Sequence, residues 1–473
     1  MPPPTSLFDD GGDARHGDEF DAGESETPAR PNYWIRRGIV IGGVVAAFAA
    51  GAIVIAGMVG SDSSDTAAGT ISADWNRIVL VDERTGRVIV DDASGEEVAR
   101  VDTRTRSVVD AGVVDSTAVV VSASATNVVD LDAETTTEFT LDADAITYPS
   151  GSGLTMIVAS AGGGRGLVVS GSSGDVIDTD EFAPIAGARY QWDDARSDRS
   201  GLDILVTDSG NFQSVLFSFD REEPSYFPGL ALAVDASTVV TAQNVGTKAT
   251  VNVFDHDGEP ISSGSTSSVR AALIGDGSVQ LVTVDGEIVT MSTSSGDTKS
   301  IGQLAIGSID FGVVTTSGDR LVVSGADGSA IVDASGAVVG TFPGQELLAA
   351  PWAARGSTCV ALSDGATAST EQVSIVAFDD GSIVNEADMA APRYSSADGC
   401  TIVSSTAKGY QVTAVESVAN VNSTGDLTGL APDGAQVVLE LDGRLALAAT
   451  SAGLDDEPID LGPTGRRVEF TRQ

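Results

Sequence analysis

From about residue 73 to its end the sequence predicts an all-β region, a β-propeller of four-stranded blades, and three observations carry that prediction. Short Val- and Leu-rich runs alternate with Gly, Asp and Ser; no stretch shows a convincing helical period; and one unit recurs at an interval near 40 residues. A strand, a polar turn, a second strand, a turn bearing Asp, Ser or Gly and a further strand fill such an interval, which is the size of a propeller blade.

Residues 1–37 come first. The stretch 1–33 is rich in Asp, Glu, Gly and Pro and has almost nothing to bury, so it reads as a disordered acidic tail. Thr5, Ser6, Ser25 and Thr27 are phosphate acceptors that would let the tail dock on a cytoplasmic partner; the alternative is a solvated leader.

Residues 38–60, GIVIGGVVAAFAAGAIVIAGMVG, carry no charged side chain. As a helix these 23 residues would cover roughly 35 Å, enough for a hydrocarbon core of about 30 Å. Arg30, Arg36 and Arg37 precede the stretch, whereas Asp62 and Asp65 follow it and the next basic residue is Arg77. The positive-inside bias therefore puts the N-terminus in the cytoplasm and the large region outside. A cleaved signal peptide would have a shorter apolar stretch and a shorter leader, so the reading is a retained signal-anchor in the cell membrane. Gly43, Ala47 and Gly51 share one helix face and would permit close helix pairing. Residues 61–72 form a short Ser/Asp/Ala/Gly linker.

The remaining region, 73–473, contains the repeats. Taking Asp92, Asp132, Ser173, Asp220, Asp257, Ser294, Ser335 and Asp380 as landmarks, successive intervals are 40, 41, 47, 37, 37, 41 and 45 residues. Two further units, around GCTIVSSTAKGYQVTAV and GAQVVLELDGRLALAAT, bring the count to ten, with eight as the alternative because common rings have about four to eight blades. The first unit, beginning at Asn76, lacks an innermost strand, and RRVEFTR at 466–472 is a strand left over. The terminal segment is therefore expected to complete the first blade and close the ring, which removes exposed strand edges.

Composition narrows the function. Acidic residues outnumber basic ones 68 to 26, the net charge is −42, and the lysines are Lys248, Lys299 and Lys408. Such a surface repels a polyanion, so nucleic acid is excluded as a partner. His16 and His256 are the two histidines, which rules out a multi-histidine zinc site beyond the apolar stretch and confines any Ser-His-Asp triad to His256, in the turn-like FDHDGEP. The two cysteines, Cys359 in GSTCVAL and Cys400 in DGCTIVS, fall on equivalent strands of adjacent repeats. A disulfide between them would close a loop of about 40 residues and contribute roughly 3–4 kcal/mol; the alternative is two buried thiols.

The turns SSADGCT (395–401) and LAPDGAQ (430–436) resemble those of TolB-like propellers, and the hairpins DASGEEV (92–98) and DASGAVV (333–339) are similar to those of PQQ-like repeat propellers. The resemblance covers nearly the whole region and implies an architecture that enzymes, assembly factors and scaffolds share. The quinoprotein repeat ends in a docking tryptophan and its dehydrogenases carry a disulfide between consecutive cysteines. Neither pattern occurs in this sequence, so no quinone or other cofactor is expected.

Several of the scarce aromatic residues recur at one phase of the repeat: Tyr148, Tyr190, Phe311, Trp352 and Tyr394, spaced 42, 121, 41 and 42. That phase puts them on or beside innermost strands. With Trp192 and Arg393 they form the candidate ligand-binding set at the channel mouth, the alternative being rings that plug the axis or wedge between blades. The acidic pairs Asp130/Asp132, Asp142/Asp144, Asp193/Asp194, Asp255/Asp257 and Asp379/Asp380 lack the distal glutamate of a calcium loop and read as turn chemistry. No catalytic residue and no metal ligand is assigned.

The expected function is a single-pass, extracytoplasmic, non-catalytic platform in the cell envelope that binds a protein partner or a small ligand. The alternative is a carboxylate-dependent hydrolase at the channel mouth, which needs two carboxyl groups about 5–9 Å apart there.

Overall fold

The computed structural model describes residues 75–149, 155–160, 164–171, 173–179, 203–208, 213–219, 223–235, 237–314, 319–348, 358–364, 370–390, 394–396, 398–450 and 458–471. The chain separates into two units, Met1–Phe48 and Ala49–Gln473, and all described residues belong to the second. The acidic tail, the apolar stretch 38–60 and the linker 61–72 lie outside the described residues. Among the described residues no helix is long and apolar enough to cross a membrane.

Every regular element described is a strand, and the strands pair into ten antiparallel sheets, nine of four strands and one of three. The sheets follow one another along the chain and are numbered here as blades: 77–102 with 466–471 (blade 1), then 108–139, 145–179, 203–228, 230–267, 269–303, 309–343, 346–389, 394–422 and 426–463 (blade 10). Ten sheets match the ten units of the sequence, and the three-stranded one, blade 4, follows residues 180–202, which are outside the described set.

Each landmark that is described falls in the turn before a blade's outermost strand. The reason is local: an Asp there accepts backbone N–H groups two and four residues ahead, and a left-handed Gly completes the turn. Asp92 Oδ1 accepts from Ser94 N at 2.8 Å and Glu96 N at 3.1 Å; Asp333 Oδ1 accepts from Ser335 N at 2.8 Å and Ala337 N at 2.9 Å. Asp255 accepts the same two amides, Asp130 those two and three residues ahead and Asp380 the one two residues ahead, so these members of the acidic pairs serve the hairpins. Asp193/Asp194 lie outside the described residues. His256 is likewise a turn residue, buried, with Nε2 2.7 Å from the carbonyl oxygen of Asp235.

Blades stack face to face, and the core is divided among the seams. Middle strands such as Thr117–Ser122 and Thr155–Ser160 are buried at every position, which explains their continuous apolar runs; outermost strands such as Thr135–Phe139 are exposed almost throughout. Ten apolar clusters lie between consecutive blades, from the Val79/Val120 cluster of blades 1 and 2 round to the Val403/Leu439 cluster of blades 9 and 10. The tenth joins Val438 and Leu447 of blade 10 to Trp75, Ile78 and Leu80 of blade 1, so the succession of blades closes on itself.

The last strand makes that closure. Arg466–Thr471 pairs antiparallel with Arg77–Asp82 and takes the position that the first strand holds in other blades. Its ends are fastened by Asn76 N to Thr471 O at 3.1 Å and Glu83 N to Gly465 O at 3.0 Å. Val468 and Phe470 face the seam with blade 10, where the Phe470 ring meets Trp75 edge-on at 4.8 Å.

Cys359 and Cys400 form a disulfide, with Cα atoms 5.1 Å apart. Cys359 opens a second strand in blade 8 and Cys400 immediately precedes the second strand of blade 9, so the bond staples two adjacent blades, as the repeat phase predicts.

Candidate functional site

First strands of neighbouring blades touch one another, as Arg466–Thr471 with Val108–Val114 and Val269–Gly275 with Ile309–Val314, and these strands form the inner edge of the ring. Five of them share one irregularity. The pairing slips by a residue at Val109, Leu232, Arg270, Asp310 and Thr428, each at the second or third position of its strand. A bulge leaves one residue unpaired and re-aims its side chain. Leu232 is buried, whereas Val109, Arg270, Asp310 and Thr428 are exposed. Equivalent positions on four blades thus present an aliphatic, a cation, an anion and a hydroxyl.

Beside them, a charged cluster spans blades 1 to 3. In the register of the closing strand, Arg467 opposes Val81 and Glu469 opposes Val79. Both therefore lie on the sheet face that packs against blade 2, because opposed residues share a face and those two valines belong to that seam. Arg467 donates through Nη1 to Asp110 Oδ1 and through Nη2 to the Val109 carbonyl at 2.8 Å, and its Nε lies 3.4 Å from Glu83 Oε1. The other oxygen of Asp110 accepts from Thr147 N at 2.8 Å and Thr147 Oγ1 at 2.7 Å. Glu469 is half-buried. Burial pushes its carboxyl up to about 7, opposed by the Arg467 guanidinium and reinforced by the Asp110 charge.

The arrangement can exchange a proton near neutrality at Glu469 and can offer a polar ligand preset donors and acceptors. Asp110 has both oxygens engaged, so it acts as a brace between blades 1, 2 and 3.

Of the residues singled out from the sequence, Tyr148 and Phe311 lie on the first strands Ala145–Pro149 and Ile309–Val314 of blades 3 and 7. Tyr394 opens the first strand of blade 9, half-buried against Val403 and Leu427, which puts it in the seam between blades 9 and 10. Tyr190, Trp192, Trp352 and Arg393 lie outside the described residues. The sequence reading missed Asp110, Thr147, Arg467, Glu469, Arg270 and Asp310. One signal was present: RRVEFT alternates charged and apolar residues in a strand expected to sit innermost, so its charged side had to meet a polar partner on the neighbouring blade.

No protein-family model matches the chain, and no curated protein sequence matches it. Solved structures with a similar fold include a eukaryotic initiation factor, at 11% identity and TM-score 0.48 over 74% of this chain and 96% of that one. BamB from Moraxella catarrhalis is similar at 14% identity and TM-score 0.32, over 58% of this chain and 86% of that one. The dihydro-heme d1 dehydrogenase NirN in complex with DHE is similar at 13% identity and TM-score 0.36, over 68% and 75%. The propeller architecture itself rests on the sheet order and the seams.

Proposed function

We propose that the chain is a membrane-anchored, extracytoplasmic propeller of the PQQ-like and TolB-like repeat type, serving as a non-catalytic platform that binds a protein or small ligand in the cell envelope. The observation that carries this reading is the cluster Asp110, Thr147, Arg467 and Glu83, whose polar groups are locked to one another across blades 1 to 3, together with the exposed Arg270 and Asp310 on the inner strands of blades 6 and 7. Such bracing builds a preorganised recognition surface. The Cys359–Cys400 bond supports an oxidising compartment, and the uncharged stretch 38–60 supports the anchor.

The test is affinity purification of the full chain, of the chain lacking residues 1–33, and of an Arg270→Glu, Asp310→Lys chain. A partner held by the first two and lost from the third supports the reading. Identical partners on all three, or none above background, contradicts it.

A second reading, a carboxylate-dependent hydrolase, draws on Glu469, whose raised pKa suits a general acid. It requires hydrolysis of a glycoside or ester panel that Glu469→Gln abolishes.

A further inference from the structure

Five consecutive blades repeat one surface feature on their outermost strands. Ile261 in blade 5, Ile301 in blade 6, Val338 in blade 7, Ile383 in blade 8 and Val418 in blade 9 are 45%, 41%, 44%, 46% and 45% exposed. Each follows closely on an acidic turn: Asp255 and Glu259, Asp297, Asp333, Asp379 and Asp380, and Glu416 respectively. A lone exposed aliphatic residue is ordinary, but one on the outermost strand of each of five adjacent blades, at its first or second position in four of them and at the fourth in blade 6, makes a row.

The row is continuous across at least four of the blades. The turn glycine of one blade sits against the outermost strand of the blade before it, with no room for a Cβ: Gly296 on the Ser263 carbonyl, Gly336 on the Ile301 side chain and Gly381 on the Val339 carbonyl. Turn, aliphatic residue and next turn therefore follow one another along one rim. Its charge has one sign. The turn-and-strand segments 255–267, 292–303, 333–343, 378–389 and 414–422 hold ten acidic residues and a single basic one, Lys299. Turn amides hold Oδ1 of Asp255, Asp333 and Asp380, which fixes these carboxylates in place.

We propose that this arc is a docking surface for a Lys- and Arg-rich segment of a partner protein that also carries apolar side chains. Charge complementarity selects the cationic residues, and the row of aliphatic residues selects the apolar ones. The proposal rests on the platform reading but uses the outer strands, whereas that reading is tested at Arg270 and Asp310 on the inner strands, so the failure of one is distinguishable from the failure of the other.

The experiment measures binding of two labelled peptides of equal charge, one alternating Lys and Val and one alternating Lys and Ser, to the full chain, with empty carrier micelles as the blank. The Lys/Val peptide is expected to bind at least about ten-fold more tightly. Replacing Ile261, Ile301, Val338 and Ile383 with Ser removes that preference, while Glu259→Gln, Asp297→Asn and Asp379→Asn weaken both peptides. Because Ile301 rests on the next blade, a Val338→Ser, Ile383→Ser chain with unchanged thermal unfolding serves as the second variant, and its preference falls. Equal affinity for the two peptides, or a preference that survives in both aliphatic variants, overturns the proposal by reducing the effect to bulk charge attraction.

Discussion

Arg467, in the last strand of the chain, donates a hydrogen bond to Asp110 across 357 residues of sequence, and this pair ties the closing strand of blade 1 to the first strand of blade 2. The side chains are 31% and 20% exposed, so the pair is partly screened. Arg467→Ala leaves one oxygen of Asp110 without its donor and is expected to cost about 1–2 kcal/mol. Denaturant unfolding checks this, and Asp110→Asn combined with Arg467→Ala should cost less than the sum of the two single changes, because both remove one interaction.

Glu469 makes the same seam sensitive to pH. Its carboxyl is raised from 4.5 to about 7, chiefly by burial. Below about pH 4.5 folded and unfolded chains both carry the proton; between there and about pH 7 the folded chain keeps it while the unfolded chain releases it. The contribution is therefore fully present below about pH 4.5, is lost as pH rises to about 7 and is flat above, with a span of at most about 3–4 kcal/mol. Unfolding followed from pH 4.5 to pH 8 should show this fall, and Glu469→Gln should remove it. A wild-type profile parallel to that of Glu469→Gln contradicts the assignment.

The repeats were legible because the signals that mark them are local. Asp92, Asp257, Ser335 and Asp380 stand in turns whose hydrogen bonds span two to four residues, so spacing alone located the hairpins. The overhanging RRVEFTR likewise pointed to a first blade completed from the far end. The charged cluster was not legible, because it depends on register. Glu469 opposes Val79 and Arg467 reaches Asp110 through a pairing that no local pattern specifies; slipping that strand by one residue would turn its charges toward Trp75 instead. The bulges at Arg270 and Asp310 are equally hidden, since an unpaired residue in a strand leaves the composition unchanged.

The staple between blades 8 and 9 carries its own prediction. Reducing the Cys359–Cys400 bond, or replacing both residues with Ser, should lower stability by about 3–4 kcal/mol, because the bond closes a loop with a sequence separation of 41. Unfolding with and without reductant measures the loss, and the Ser variant should be indifferent to reductant.

Gly95, in the turn before the outermost strand of blade 1, has φ of +81°, and a Cβ there would collide with Ile459 of blade 10. Gly95→Ala meets both backbone strain and a clash across the ring seam, and should cost about 1–3 kcal/mol. Ile459→Ala in the same chain should recover part of that loss by making room, leaving the strain alone.

Closure of the ring by residues 466–471 is tested most directly by amide exchange over residues 76–83, in the full chain and in a chain ending at residue 463. The amides of Asn76 and Glu83 donate to carbonyls of Thr471 and Gly465, so the full chain should protect this segment and the shortened chain should expose it while blades 5 to 7 stay protected. Equal protection of residues 76–83 in both chains would contradict the closure.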